Sequence, residues 1–305
     1  MKRFITILIA AIAALSLSAH EANVPAQAQS VTKEYKLSGF SELAISHTYQ
    51  VDLTRSDRYS VSVDVPDFLV PYLIVEVRDN CLVLGLSELP RDVRHRLDSG
   101  RFRLNASVSM PDLTGLRMSG ASSLKAQGEF APRRSFSATL SGACSVNDLV
   151  VRTQGMSLQC SGACSFRLSG TFDELDARAS GSSKIRLAAN AKEAEIELSG
   201  ASNVSLDGRV DKLEVQASGA SHFNQKGRIG SLVGKASGSS QIYTDEAPAT
   251  IASVSLSGAS RARIDVSDTL GMTLSGASRL EYRAYDRLRV QRKDVSRASS
   301  VSSFR

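Results

Sequence analysis

Ile196-Glu197-Leu198-Ser199-Gly200-Ala201-Ser202-Asn203-Val204 holds at its centre a four-residue word that the chain repeats. The word is Ser-Gly-small-Ser or Ser-Gly-small-Cys, with its glycine at Gly120, Gly142, Gly162, Gly181, Gly200, Gly219, Gly238, Gly258 and Gly276. The spacings, 22, 20, 19, 19, 19, 19, 20 and 18 residues, are too regular for coincidence. A tenth word, Ser296-Arg297-Ala298-Ser299, lies 21 residues further on with arginine in the glycine's place, the kind of departure expected of a terminal repeat.

Columns counted from the glycine give the local structure. Four residues after it stand Leu124, Val146, Phe166, Ile185, Val204, Phe223, Ile242, Ala262 and Leu280, and two before it Met118, Leu140, Cys160, Ala179, Leu198, Ala217, Ala236, Leu256 and Leu274. Three after it every residue is polar, from Ser123 through Lys184, Asn203 and His222 to Arg279. Alternation with period two means β-strands with one face inward, and a repeat of about 19 residues is too short for helical-hairpin repeats of about 33 or more. The pattern predicts an all-β fold, a single-stranded parallel β-helix (β-solenoid) of about ten coils, one coil per word. At about 4.8 Å per coil, that is a rod of roughly 45 to 50 Å. Glycine suits the bend, and small neighbours suit a narrow corner. This explains how a chain of 305 residues with no Trp, 10 Phe, 7 Tyr and 48 Ser closes a core.

The expected organisation has four parts: a signal peptide at residues 1–28, irregular leading strands or coils at 29–112, regular solenoid at 113–282 and a basic atypical terminal coil at 283–305. Lys2 and Arg3, the apolar run Phe4 to Leu17 and the small-x-small site Ala26-Gln27-Ala28 make the signal, which predicts an exported, extracytoplasmic mature chain without a transmembrane segment. In the leading part Tyr49 to Leu53, Tyr59 to Val63 and Leu73 to Val77 alternate, Cys81 to Leu84 is more continuously apolar, and Leu37-Ser38-Gly39-Phe40-Ser41 echoes the repeat word. We read these as leading coils of the same solenoid in preference to an independent domain, which stays the alternative, and the polar segment Pro90 to Arg103 as a loop. Charge is concentrated at one end: residues 279–305 carry eight Lys/Arg against three Asp/Glu, and residues 29–278 sum to zero. Nucleic-acid binding would be expected to spread a basic stripe over the body, whereas here the basic excess is terminal and reads as a solvated tail or cap on a neutral rod, so no nucleic-acid partner is expected.

With its leading strands from Tyr35-Lys36-Leu37-Ser38-Gly39-Phe40 and its iterated Leu-Ser-Gly-Ala-Ser words, the chain over about residues 35–300 resembles the bacterial family described as putative auto-transporter adhesin, head GIN domain. The resemblance implies a right-handed parallel β-helix and an adhesin-like role, and it supplies no catalytic residues.

Chemical motifs are sparse. His20, His47, His95 and His222 are scattered without zinc-ligand spacing, and there is no nucleophile elbow, Walker loop or dinucleotide fingerprint. Neither a metal nor a cofactor is expected. Asp176, Glu195, Glu197 and Glu214 form the one local acidic group on outward positions, and they are the candidate residues should the fold carry a polysaccharide-processing enzyme. Cys144 and Cys164 replace the serine two after the glycine in consecutive coils, about 5 Å apart if stacked, within disulfide range, and Cys160 lies in the inward column. A Cys144–Cys164 bridge, a Cys160–Cys164 bridge and free buried thiols all remain open, with Cys81 unpaired. The leading functional expectation is a non-enzymatic exported scaffold, adhesin-like or envelope- and glycan-binding, with a cell-surface or cell-wall polymer as partner. The alternatives are a polysaccharide lyase or hydrolase, and a structural protein that self-assembles through its open ends.

Overall fold

The computed structural model describes residues 29–98 and 102–304, so the signal assigned to residues 1–28 lies outside the described residues. Strands dominate, and those described join in one 22-stranded hydrogen-bonded sheet around a single apolar core. This is the predicted parallel β-solenoid. From Ser165 onward each coil is one long bent strand: Ser165–Ala179, Lys184–Leu198, Asn203–Ala217, His222–Ala236, Gln241–Leu256 and Arg261–Leu274. Successive coils pair in parallel, with like positions stacked, as in Ile185 on Val204 on Phe223. The inward columns are buried as the alternation requires, with Phe166, Val204, Phe223 and Leu280 at 1% exposure or less.

The repeated word makes the corner. Gly181 has a φ of +71°, and a Cβ built there would stand 2.5 Å from the carbonyl oxygen of Gly162 in the coil before it. That same carbonyl accepts the N–H of Ser182 at 2.8 Å. A side chain at this position would therefore face both left-handed strain and a backbone clash. The serine two residues on turns inward: Ser183, Ser221, Ser240 and Ser260 are buried, and each donates its hydroxyl to the carbonyl three residues earlier at 2.7 to 2.8 Å. These bonds satisfy a corner carbonyl inside the core, where an unpaired one would be costly.

The leading part enters the same sheet in an unexpected order. Strand Glu42–Ile45 lies between Cys81–Leu86 and Gly115–Met118, and strand Tyr49–Arg55 between Leu104–Met110 and Ser123–Gln127, all in parallel. Strands Cys81–Leu86 and Leu104–Met110 thus stack beneath the coil made by residues 42–55, which precedes them in sequence. Antiparallel strands close that end: Ser60–Pro66 on Leu104–Met110, Ser30–Tyr35 on Ser60–Pro66, and Leu73–Arg78 on Cys81–Leu86. In the coil of residues 42–55 the corner position is held by His47, with φ +64°. Its carbonyl accepts Ala121 N–H at 2.7 Å and lies 2.5 Å from a Cβ built on Gly120.

Residues Pro90 to Arg103, read as a loop, contain an α-helix at Arg91–Asp98. Val93 and Leu97, four apart, give it an inner side, Leu97 is buried, and Arg96 stacks over the Phe68 ring at 4.0 Å. So short an apolar signal among arginines is what hid it.

At the other end, the tenth word forms a corner without glycine: Ser296 N–H bonds Leu274 O at 2.9 Å and Ser300 N–H bonds Ser278 O at 2.9 Å. Strands Arg289–Val295 and Ser300–Phe304 complete the final coil. Arg289 pairs with Asp268 at 2.9 Å, Arg283 lies 3.1 Å from the buried Asp265, and Arg263 lies under the Phe304 ring at 4.5 Å.

Candidate functional site

Nine repeat glycines, Gly120 to Gly276, line one edge of the rod, all with left-handed φ. They are structural, but the columns just before them build a groove of about 890 Å³ running from Thr139 to Ser275. One wall is the serine preceding each glycine, from Ser161 to Ser275. The other is the residue three before each glycine, a mixed polar column in which Gln159, Arg178, Glu197, Gln216 and Lys235 follow one another. The floor is the inward column Leu140, Cys160, Ala179, Leu198, Ala217, Ala236 and Leu256. Eight coils at about 4.8 Å each give a trench roughly 35 Å long. The floor side chains turn inward, so the middle of the trench is backbone between two outward columns, with short serines on one rim and longer polar groups on the other.

The four acidic residues singled out in the sequence lie beside this groove. Asp176, Glu195 and Glu214 stack in register on three successive coils, and Glu197 stands in the adjoining column that forms the rim. Arg178 joins two of them, with Nη1 2.6 Å from Asp176 Oδ2 and Nε 3.1 Å from Glu197 Oε2. Asp176, more than Glu197, pushes the guanidinium pKa above its ordinary value. Lys235 donates to Glu214 at 2.8 Å, and Gln216 donates to the same oxygen at 3.1 Å. Three of the four carboxylates are thus committed to partners, in the manner of a cross-strand charge network rather than of an acid and a base held apart. The groove lining contains no aromatic side chain for stacking a sugar ring. Among the described residues no group of His, Cys, Asp and Glu is arranged to hold a metal ion.

The cysteines Cys81, Cys144, Cys160 and Cys164 are all buried and free in the structure. Cys144 and Cys164 take the inner serine's place in the corner: each Sγ points at the carbonyl three residues earlier, Ser141 and Ser161, at 3.0 Å. Burial pushes the Cys160 thiol well above its ordinary pKa and raises that of Cys164. Of the histidines, His47 is the corner residue described above. His222 sits edge-on to Tyr243 on the outer face, with ring centroids 6.2 Å apart. The corner role of His47 was missed because Ile45-Ser46-His47-Thr48 lacks the glycine that marks the other words; its one signal was Ser46, in the position of each word's first serine.

No described helix is long and apolar enough to cross a membrane. No curated protein matches the chain. Among solved structures, a putative adhesin from Parabacteroides merdae ATCC 43184 superposes with a TM-score of 0.56 at 17% identity, covering 91% of this chain and 97% of that one. A putative adhesin from Parabacteroides distasonis ATCC 8503 gives 0.52 at 16%, covering 90% and 97%. At such identities the likeness is one of fold. The family model described as "Putative auto-transporter adhesin, head GIN domain" matches residues 39–189 and 185–284, and with most of its length so covered the chain belongs to that family.

Proposed function

We propose that the protein is a non-enzymatic, adhesin-like binding scaffold that works outside the cytoplasm and holds an extended polymer of the cell surface or wall in its serine-lined groove. The carrying observation is the groove itself, continuous over eight coils with a hydrogen-bonding side chain at each step of one rim and a serine at seven steps of the other. Such a surface suits a partner that is itself a repeat of hydroxyl-bearing units. The export reading rests on the apolar run Phe4 to Leu17 and Ala26-Gln27-Ala28, and it accords with the adhesin description of the family. The commitment of Asp176, Glu197 and Glu214 to Arg178 and Lys235 favours holding over cleaving.

Pull-down on insoluble peptidoglycan and a panel of neutral polysaccharides tests this. Binding of the protein to at least one polymer is expected, with loss in a Ser199→Tyr/Ser218→Tyr variant that fills the trench, and no shortening of the polymer. Retention by none of them, equal retention of the variant, or release of fragments would overturn it. Surface protease accessibility on intact cells then separates an outward-facing adhesin from a periplasmic scaffold.

A further inference from the structure

The body of the rod is neutral only in sum. The two outward columns after the corner, three and five residues past each glycine, hold seven Lys/Arg and one Asp/Glu in eighteen positions. The matching outward columns before the corner, three and five residues ahead of it, hold three Lys/Arg and four Asp/Glu in the same number. Charge is therefore sorted by face, and one long face of the solenoid is basic. On the pre-corner face the cations are paired with acids, as Arg178 and Lys235 are. On the post-corner face Lys125, Arg167, Lys184, Arg186 and Arg261 are exposed, and none has an ion pair among the described residues. Arg167 stacks directly on Arg186 in the next coil, with Lys184 two residues away on the same side of the strand. Like charges at cross-strand positions repel, and an isolated rod gains nothing from them. Polar groups fill the remaining positions: Asn203, Asn224 and Gln241 continue the columns, with the His222–Tyr243 pair between them. The acids flanking this face, Asp207 and Asp245, lie one column further out, and Asp148 sits at the bulge beside Asn147.

We infer that this face is a second binding surface, distinct from the groove, for an anionic polysaccharide whose carboxylate or sulfate groups lie along the Lys184–Arg167–Arg186 cluster. A repeating polyanion matches cations repeated at about the 4.8 Å coil spacing, and each bound group relieves the repulsion between stacked guanidiniums. The amide and hydroxyl side chains between them offer partners to sugar hydroxyls. Nucleic acid is the weaker fit, because Tyr243 is the sole Phe, Tyr or Trp in the eighteen positions and single strands are held by successive aromatic platforms.

The test is affinity electrophoresis and salt-gradient elution of the whole protein on polygalacturonate, heparin, dextran and single-stranded DNA. Retention by polygalacturonate or heparin is expected, falling about tenfold between 50 and 200 mM salt, as a site of a few cations requires. Whichever of the two retains better assigns carboxylate or sulfate. An Arg167→Ser/Lys184→Ser/Arg186→Ser variant should lose that retention while keeping its melting temperature, since serine already occupies these columns at Ser165 and Ser205. A Lys192→Ser/Arg209→Ser/Lys212→Ser variant removes the same charge elsewhere and should keep it. Equal loss in both variants, no retention at 50 mM salt, or tighter retention by DNA would each overturn the inference. Neutral-polymer binding through the groove is read separately and does not depend on this cluster.

Discussion

The regular coils from Ser165 to Leu274 and the leading coils from Glu42 to Met110 are built from the same strands but assembled by opposite rules. In the regular part each coil pairs with the coil before and the coil after it, about 19 residues away, so sequence order and spatial order coincide. In the leading part the coil of residues 42–55 is held between coils that lie later in the chain, and the end beneath is sealed by antiparallel strands. A stack with an open parallel edge is a template for further pairing, and reversing strand direction is one way to end it. The difference predicts two kinds of cooperativity, local and additive in the regular part, long-range in the leading part.

Core truncation draws this contrast with the largest effect. Phe223→Ala empties a fully buried position and should cost about 3 to 5 kcal/mol of local stability. Hydrogen exchange should rise in the coils of residues 203–217 and 241–256 and stay unchanged before Arg152. Leu43→Ala, equally buried, should cost about 2 to 5 kcal/mol and raise exchange in residues 81–86 and 115–118 together. Confinement of its effect to residues 42–55 would break the comparison.

Next come the glycines. Gly181→Ala meets both a φ of +71° and the Gly162 carbonyl at 2.5 Å, and should cost about 2 to 3 kcal/mol in chemical denaturation. Gly39, in the leading echo of the word, also has positive φ, +76°, but nothing stands within 4 Å of a Cβ there, so Gly39→Ala should cost about 1 kcal/mol. Equal costs would mean that the clash between coils contributes nothing.

These residues also mark what could be read from the sequence. The words at Gly120 to Gly276 announce the solenoid because every coil repeats the same local problem and solves it with the same residue. The stacking of strands Cys81–Leu86 and Leu104–Met110 beneath residues 42–55 was not legible, since alternation in Tyr49 to Leu53 says which side faces inward and nothing about which coil lies next. The groove was half legible: its rims are columns visible in the sequence, but that they stand continuously side by side over eight coils depends on the stacking register, which no single word states. The acidic group was visible as residues but its pairing was not, because Arg178 and Lys235 reach Glu197 and Glu214 from neighbouring coils.

A smaller contrast lies within one corner. Cys164→Ser restores the residue that the other corners use, with the carbonyl of Ser161 waiting, and should shift thermal stability by less than about 1 kcal/mol. Cys160→Ser places a hydroxyl in the apolar column, where the stacked neighbours Leu140 and Ala179 offer no side-chain acceptor, and should cost about 1 to 3 kcal/mol. Intact mass under non-reducing conditions settles the cysteine state alongside: two hydrogens fewer after export means one bridge, and an unchanged mass means free thiols.

The smallest effect falls on the leading corner that dispenses with glycine. His47 holds φ +64° at a cost that glycine would not incur, against which it keeps a 2.9 Å hydrogen bond between its Nδ1 and Ser46 Oγ. Loss of about 1 kcal/mol of backbone strain should outweigh that half-exposed bond, so His47→Gly should raise the melting temperature slightly. The same residue makes a pH signature. Burial holds its pKa below the ordinary 6.5, so the unfolded chain binds its proton first as pH falls. Stability should decline from about pH 6.5 downward until the folded-state pKa is passed, and the decline should flatten below it. In His47→Gly that component vanishes. A variant that is less stable than the parent at pH 7.5, or that keeps the same loss between pH 6.5 and 5.5, would show that the corner is built around the imidazole rather than in spite of it, and that the leading coil is not a strained version of the regular ones.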